Sequence, residues 1–318
     1  SPASAAEKKI VMRYSHSSSA MVKEPHHAAA LDFKNYVEKA TNGKVDVQIY
    51  PGSQLGGEER SFQDIQQGVI QIASLAVNNV TVFSPSMGVF DLPYMFTNYE
   101  DCYKLIDQNW DEINKRMIAE SGNMAVGWLV QGFRVLSNSK RPINTIEDLK
   151  GLKIRVPNNP IMIATFRAWG GEPAPMAWDE TFNALQQKVV DGQDNPLVSI
   201  ATNRFYEVQK YFTEVNYQFH PDPFYVNAAW WNGLPEEYRD IITECATKMG
   251  EYNDELIDKN SSAAKQTIVD SGCEVYEPSA DELKAFQTAV QSVYDQCVTE
   301  GICTADEIKE MQDIVAKA

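Results

Sequence analysis

Gly151-Leu152-Lys153-Ile154-Arg155-Val156-Pro157 is the stretch whose reading decides the fold class. Residues 152–156 read as a short buried strand, closed by a proline that has no N–H to continue a ladder. Leu152, Ile154 and Val156 share one face, and Arg155 points the other way near the carboxyl end. Parallel strands in an α/β protein are covered on both faces, so an arginine there needs either an anion or a neighbouring carboxylate. Position alone leaves both readings open. Carboxyl ends of strands are also where open α/β sheets take their ligands.

Working outward, residues 10–14 form a strand, residues 15–20 a polar loop, and residues 25–41 a helix with Pro25 in its first turn. Residues 45–50 alternate with period two, which makes a β-α-β unit and predicts a parallel sheet. Pro51-Gly52 and Gly56-Gly57 bracket a loop, 58–67 is a short helix, and 70–77 reads as a buried strand. Residues 99–121 carry an amphipathic helix, and 124–130 and 134–137 are extended. Asn159-Pro160 opens a helix that ends at Gly170-Gly171. Trp178 lies in the loop before a helix over 180–187 that Asp179 caps, in a unit that Gly192 closes, and 190–196 reads as a turn. Strands are expected at 211–219 and 225–231. From Pro235 to about Lys265 runs a long polar helix suited to bridging two lobes. Ser279-Ala280-Asp281-Glu282 and Thr304-Ala305-Asp306-Glu307 are capping boxes that open two further helices. With no flexible linker in sight, crossing strands must join the lobes.

The chain has 318 residues, 43% hydrophobic and 23% charged, enough for two domains or one large one. Its net charge of -16 argues against nucleic acid and anionic membrane surfaces as partners. Any anion site must therefore be built locally, by a few placed arginines. No apolar run approaches a membrane span, so the chain is not expected to cross one. The start, Ser1-Pro2-Ala3-Ser4-Ala5-Ala6-Glu7-Lys8-Lys9, is small and polar, as left by a removed signal peptide or by a cloning remnant. Cys102, Cys245, Cys273, Cys297 and Cys303 contain no C-x-x-C. Cys297 and Cys303 could pair across a tight turn in an oxidising compartment; buried free thiols are the other reading.

The common catalytic signatures are missing: no G-x-S-x-G, P-loop, G-x-G-x-x-G or H-E-x-x-H occurs. His26 and His27 are adjacent and share no helix face, and His16 and His220 stand apart, so no metal, cofactor or catalysis is expected. Polar and aromatic residues at strand ends are the better candidates. Arg155 and Arg134 each present a planar fork that binds a carboxylate in two parallel bonds. Asn195 offers both donor and acceptor, Trp178 is placed to wall a pocket, and Glu58, Asn78, Asn79 and His16 sit near loops where they would meet ligand hydroxyls. Against these stand plainer roles: a surface arginine for Arg134, turn chemistry for Asn195, exposed loop for Glu58, Asn78 and Asn79, core or sheet covering for the tryptophans, and a solvated or hydrogen-bonded ring for His16.

Several runs together resemble one family. Gly132-Phe133-Arg134, Asn138-Ser139-Lys140-Arg141-Pro142-Ile143 and Glu147-Asp148-Leu149-Lys150-Gly151-Leu152-Lys153-Ile154-Arg155-Val156-Pro157 are similar to the centre of the solute-binding proteins of tripartite ATP-independent periplasmic (TRAP) transporters, the dicarboxylate-binding type above all. Gln186-Gln187-Lys188-Val189-Val190-Asp191-Gly192-Gln193-Asp194-Asn195-Pro196 resembles a second signature, Pro51-Gly52-Ser53-Gln54-Leu55-Gly56-Gly57-Glu58 a first-lobe loop, and Phe205-Tyr206-Glu207-Val208-Gln209-Lys210-Tyr211 a later motif. These follow one another in the family's order over nearly the whole chain. Ala177-Trp178 departs from it, where relatives often carry a proline and a smaller aromatic, and Gln218-Phe219-His220-Pro221-Asp222-Pro223 is individual to this chain.

The resemblance implies a two-lobed periplasmic binding protein of type II-like α/β fold, with hinge strands and a long helix spanning both lobes. The first lobe is expected over 1–132 plus 221–260, the second over 133–220 plus 261–318. It further implies a monomeric, non-enzymatic protein of the periplasm that closes around a small organic acid and hands it to a TRAP membrane permease. Arg155 would make the salt bridge to the ligand carboxylate, with Arg134 and Asn195 as further contacts. Among acids a uronate or aldonate is expected, because Glu58, Asn78, Asn79 and Asn195 would read hydroxyls. An aromatic or indole acid, a dicarboxylate, a sensing module for a receptor, and an enzyme on the same scaffold are the alternatives.

Overall fold

The computed structural model of the protein describes residues 8–21 and 24–316; the small polar start at 1–7 lies outside them. Strands are β1 (Ile10–Ser15), β2 (Val45–Tyr50), β3 (Ile72–Ser74), β4 (Asn123–Val130), β5 (Arg134–Asn138), β6 (Lys153–Val156), β7 (Glu172–Pro175), β8 (Gly192–Pro196), β9 (Tyr211–Thr213), β10 (Pro221–Asn227) and β11 (Glu274–Tyr276). Helices are α1 (Pro25–Ala40), α2 (Glu58–Gln66), α3 (Val77–Val80), α4 (Tyr99–Ser121), α5 (Pro160–Ala168) and α6 (Trp178–Gln186). The chain continues with α7 (Leu197–Thr202), α8 (Ala228–Asn232), α9 (Glu236–Asp270), α10 (Ala280–Ala289), α11 (Gln291–Thr299) and α12 (Ala305–Ala316).

Two mixed sheets result, one in the order β2-β1-β3-β10-β4 and one in the order β11-β9-β5-β8-β6-β7. The β-α-β start gives parallel β1, β2 and β3, as its alternating pattern requires. The chain leaves the first sheet after β4 and enters the second at β5. It returns between β9 and β10, which lies antiparallel between β3 and β4. These two crossings run side by side: the Arg134 N–H donates to Gln218 O at 2.8 Å, and the Gln131 N–H to His220 O at 3.4 Å. A third connection is α9, which packs on α1 and β4 on one side and on α7 and β11 on the other. α12, inside the 261–318 stretch expected on the second lobe, packs on α4.

Local chemistry explains the well-read elements. Asn98 caps α4 by accepting from the Asp101 N–H at 2.9 Å, and Gly122, with φ of 81°, ends it in the left-handed region. Asn159 caps α5 by accepting from the N–H groups of Ile161 and Met162, both at 3.0 Å. The box at Ser279 and Glu282 opens α10. Thr304 accepts from the Glu307 N–H ahead of α12. All five cysteines are buried and free, Cys297 and Cys303 included.

Several expectations are corrected. The strand expected over 70–77 shrinks to Ile72–Ser74, and Val77 already begins α3. Residues 190–196 are no turn: Gly192–Pro196 is a fully buried strand between β5 and β6. Its polar sequence hid it, because its side chains find partners inside the protein and not in water. Gly192 opens that strand where a Cβ would lie 2.1 Å from Ser137 O. Ala177, not Asp179, is the N-cap of α6, which puts Trp178 at the first helical position. The strand expected over 211–219 is Tyr211–Thr213 alone. The one expected over 225–231 is displaced to Pro221–Asn227, and α8 takes up Trp230 and Trp231. Pro221 and Pro223 are tolerated there because β3 pairs with β10 only at 224–226, past both prolines.

The bridging helix α9 sits very close to β4. A Cβ on Gly250 would lie 2.7 Å from Trp128 O, and one on Gly127 would lie 2.6 Å from the Ala246 Cβ. Helix propensity alone favours alanine over glycine by about 1 kcal/mol. Packing opposes it here, so Gly250→Ala is expected to destabilise by about 1–3 kcal/mol. Urea denaturation measures this; a gain in stability would show that the close approach is not a constraint.

Candidate ligand-binding cleft

A cleft lies between the sheets, lined from both sides of the crossing segments. Seven of the eight residues singled out from sequence line it: Arg155, Arg134, Asn195, Trp178, Glu58, Asn78 and Asn79. His16 does not. It is buried behind the wall, one ring nitrogen 3.0 Å from His27 Nδ1. Burial, with His27 and His26 beside it, lowers its pKa to about 3 and keeps the ring neutral.

Arg155 stands at the end of β6, 2% exposed. Its Nε donates to Met176 O at 3.0 Å, and its Cζ lies 5.8 Å from the centre of the Trp178 ring. Among the described residues no carboxylate comes within ion-pair distance of it. Of the two partners that position allowed, the carboxylate is therefore not supplied by the protein. Burial first, and then the neighbouring Arg134, lower its pKa to about 10, against the pull of Asp194 and Glu58. The guanidinium stays charged at neutral pH, and its terminal N–H groups are left to the cleft.

Arg134 differs. Its Nε donates to Asp194 Oδ2 at 2.5 Å and its Nη2 to Asp194 O at 2.7 Å, while the Tyr217 hydroxyl donates to the same carboxylate oxygen at 2.6 Å. Asp194 was read only as part of a turn. Its place on β8, beside the antiparallel β5, is what brings it to Arg134. One amide relay orients Asn195: its Nδ2 donates to Gln193 Oε1 at 2.8 Å, Gln193 Nε2 donates to Ser137 Oγ at 2.7 Å, and Ser137 donates to Gln209 Oε1. That leaves the Asn195 oxygen for the cleft.

On the facing side, Glu58 at the start of α2 accepts from the Ala76 N–H at 2.8 Å and from Asn79 Nδ2 at 2.5 Å. Burial, followed by the negative Asp222, raises its pKa to about 7, despite those hydrogen bonds and Arg155. Asn78 donates to Met162 Sδ at 3.3 Å. Trp178 is held by Phe205, whose ring stacks on it at 5.0 Å, so the indole forms a fixed apolar wall. Glu24, Gln131, His220, Ser199 and Asn203 also line the cleft and were not chosen from sequence. Only His220 carried a signal, lying in the stretch individual to this chain.

The Arg134–Asp194 pair is almost wholly buried, so removing one member strands the other's charge. Asp194→Ala is expected to cost about 3–5 kcal/mol in urea denaturation; a loss below 1 kcal/mol would mean that Arg134 finds another partner. Glu58 sets a pH dependence. Its folded-state pKa lies above the ordinary 4.5, so the unfolded chain releases the proton first and wild-type stability falls as pH rises from about 4.5 through about 7. Glu58→Gln should therefore be the more stable protein above pH 7, by at most about 3 kcal/mol, and show no advantage below pH 4.5. Denaturation curves across that range test it.

Residues 16–300 match the family of bacterial extracellular solute-binding proteins, family 7. The 2,3-diketo-L-gulonate-binding periplasmic protein of Escherichia coli is 27% identical over 92% of this chain and 88% of its own length. The C4-dicarboxylate-binding periplasmic protein of Rhodobacter capsulatus is 30% identical over 90% of this chain and 86% of its own. The fold superposes on the sugar acid binding protein of Advenella mimigardefordensis in complex with galactonate, with a TM-score of 0.90 and 26% identity over 98% of this chain and 99% of that one. A two-lobed α/β architecture, ordered motifs and a match over most of the length agree: the chain belongs to family 7 of the bacterial extracellular solute-binding proteins, the solute-binding proteins of TRAP transporters.

Proposed function

We propose that this protein captures a hydroxylated organic acid, a uronate or aldonate, between its lobes in the periplasm and delivers it to a TRAP membrane permease. The observation that carries this reading is Arg155, a buried, charged guanidinium that faces the cleft with no carboxylate within ion-pair distance among the described residues. A ligand carboxylate supplies the missing partner in two parallel bonds. Arg134, anchored by Asp194, retains Nη1 as an additional donor, and Asn195 offers its side-chain oxygen. Trp178 gives the C–H face of a sugar a flat surface, while Glu58, Asn78 and Asn79 meet hydroxyls. The sugar-acid ligands named for the Escherichia coli and Advenella proteins support the same class.

The role is that of a transport receptor and not of an enzyme. No helix among the described residues is long and apolar enough to cross a membrane. In this reading the solute is handed to separate permease subunits, the partners that the TRAP family implies. The lobes divide at the two crossing segments, which together with α9 would act as the hinge on which the cleft opens and closes.

Calorimetry and thermal shift with galactonate, glucuronate, succinate and indole-3-acetate test the reading. A ligand present at one hundred times its Kd adds about 2.7 kcal/mol of stability. Galactonate or glucuronate is expected to bind, and Arg155→Ala to weaken it at least about 100-fold, since the ligand's buried carboxylate is left unpaired. The ligand-free variant should be as stable as the wild type or more so, because an unpaired buried cation is removed. Unchanged affinity, or binding confined to succinate or the indole acid, would overturn the proposal.

A further inference from the structure

Behind one wall of the cleft lies a buried carboxylate with two hydrogen-bond donors and a further imidazole nitrogen nearby. Asp222, in β10, accepts from His220 Nδ1 at 2.7 Å and from Gln131 Nε2 at 2.7 Å, and His26 Nδ1 lies 3.2 Å away. It is 2% exposed and does not itself line the cleft, whereas His220 and Gln131 do. Burial works against its charge, yet His220, His26 and the hydrogen bonds from His220 and Gln131 outweigh it and hold its pKa below the usual carboxylate value. An ionised carboxylate only accepts, so the two cleft residues must turn donors toward it.

That requirement fixes what they show to a ligand. In the neutral His220 ring, with its hydrogen on Nδ1, Nε2 is left as a lone pair, and among the described residues it has neither a partner nor the burial of an orphaned atom. With its amide N–H₂ on Asp222, Gln131 likewise leaves Oε1 without a partner among the described residues. Arg155 and Arg134 offer only N–H donors to the same cleft. The lining is thus polarised: donors that suit one carboxylate, and elsewhere acceptors that need hydroxyl hydrogens.

We infer that His220 is a specificity-determining residue whose Nε2 accepts a hydrogen bond from a ligand hydroxyl, and that Asp222 positions it so that the cleft selects polyhydroxy monocarboxylates over acids with a carboxylate at both ends. This rests on the sugar-acid reading above and narrows it. A second carboxylate brought to that wall would set lone pairs against lone pairs, close to the buried charge of Asp222. A hydroxyl there instead satisfies Nε2, and a site built for such a bond discriminates strongly against a group that cannot make it.

Paired ligands test this by calorimetry at about pH 8: galactonate against galactarate and glucuronate against glucarate, the second of each pair carrying a carboxylate at both ends. The wild type is expected to prefer the monoacid of a pair by about 100-fold or more, and His220→Phe to weaken that monoacid at least about 10-fold. Asp222→Asn removes the charge and the demand for Nδ1–H, so the preference should shrink at least about 10-fold, a change in ratio that general loosening of the wall would not produce. Should that variant fail to fold, the ¹⁵N signals of His220 in the ligand-free wild type report the same point, and a proton on Nδ1 is expected. A diacid bound as tightly as its monoacid, a His220→Phe variant with full affinity, or a neutral ring protonated on Nε2 would each overturn the inference while the sugar-acid reading stands. Binding of neither pair would remove both.

Discussion

A buried guanidinium without a carboxylate is the constraint on which the centre of this protein depends. Two arginines meet in the cleft, and among the described residues only Arg134 has an acidic partner, Asp194. Burial first, and then repulsion between the two charges, lowers the pKa of Arg155. Keeping Arg155 charged and dry in the ligand-free protein costs stability, and an anionic ligand recovers it. The chain's net charge of -16 makes this local arrangement necessary, because the molecule as a whole repels the anions it is built to admit.

The fold supplies the geometry for that exchange. Arg155 projects from β6, Arg134 from the start of β5, and Asn195 from β8, three neighbouring strands of one sheet. Glu58, Asn78 and Asn79 come from helices beside the other sheet. The cleft therefore exists only where the two sheets face each other across the crossings. Contacts already span the gap: the Thr202 hydroxyl donates to Glu24 at 2.6 Å, and Asn159 Nδ2 donates to Asp91 and to Asn78 O, each at 2.8 Å. Such cross-cleft bonds favour an approach of the lobes, and a ligand bound to both sides adds to them.

Electrostatics behind the lining matter as much as the lining. Asp194 orients Arg134, the Gln193–Ser137–Gln209 relay orients Asn195, and Asp222 orients His220 and Gln131. Each of these supporting groups is fully or almost fully buried. A buried polar group is held by specific partners and not by water, so it can dictate which atom its neighbour presents to the cleft.

The sequence by itself determined the elements whose signals are local. Helix caps at Asn159 and Ser279, the alternation in β2 and the run into β6 were legible because caps and periodicity depend on residues a few positions apart. Arg155 was legible for the same reason, as a charge placed in an apolar strand, and the ordered motifs carried the family. What escaped were the features set by distant partners. β8 was read as a turn because Gln193, Asp194 and Asn195 look solvated until Ser137 and Arg134 are beside them. Trp178 was taken for a loop residue and His16 for a ligand contact, though the first opens a helix and the second lies behind the wall. Only the tertiary structure decided which of the two arginines is left unpaired, and which nitrogen of His220 faces the cleft. Both depend on carboxylates that lie on the opposite side of a strand pairing or two residues along a buried strand, and burial, which makes those pairings strong, leaves no periodic trace in the chain.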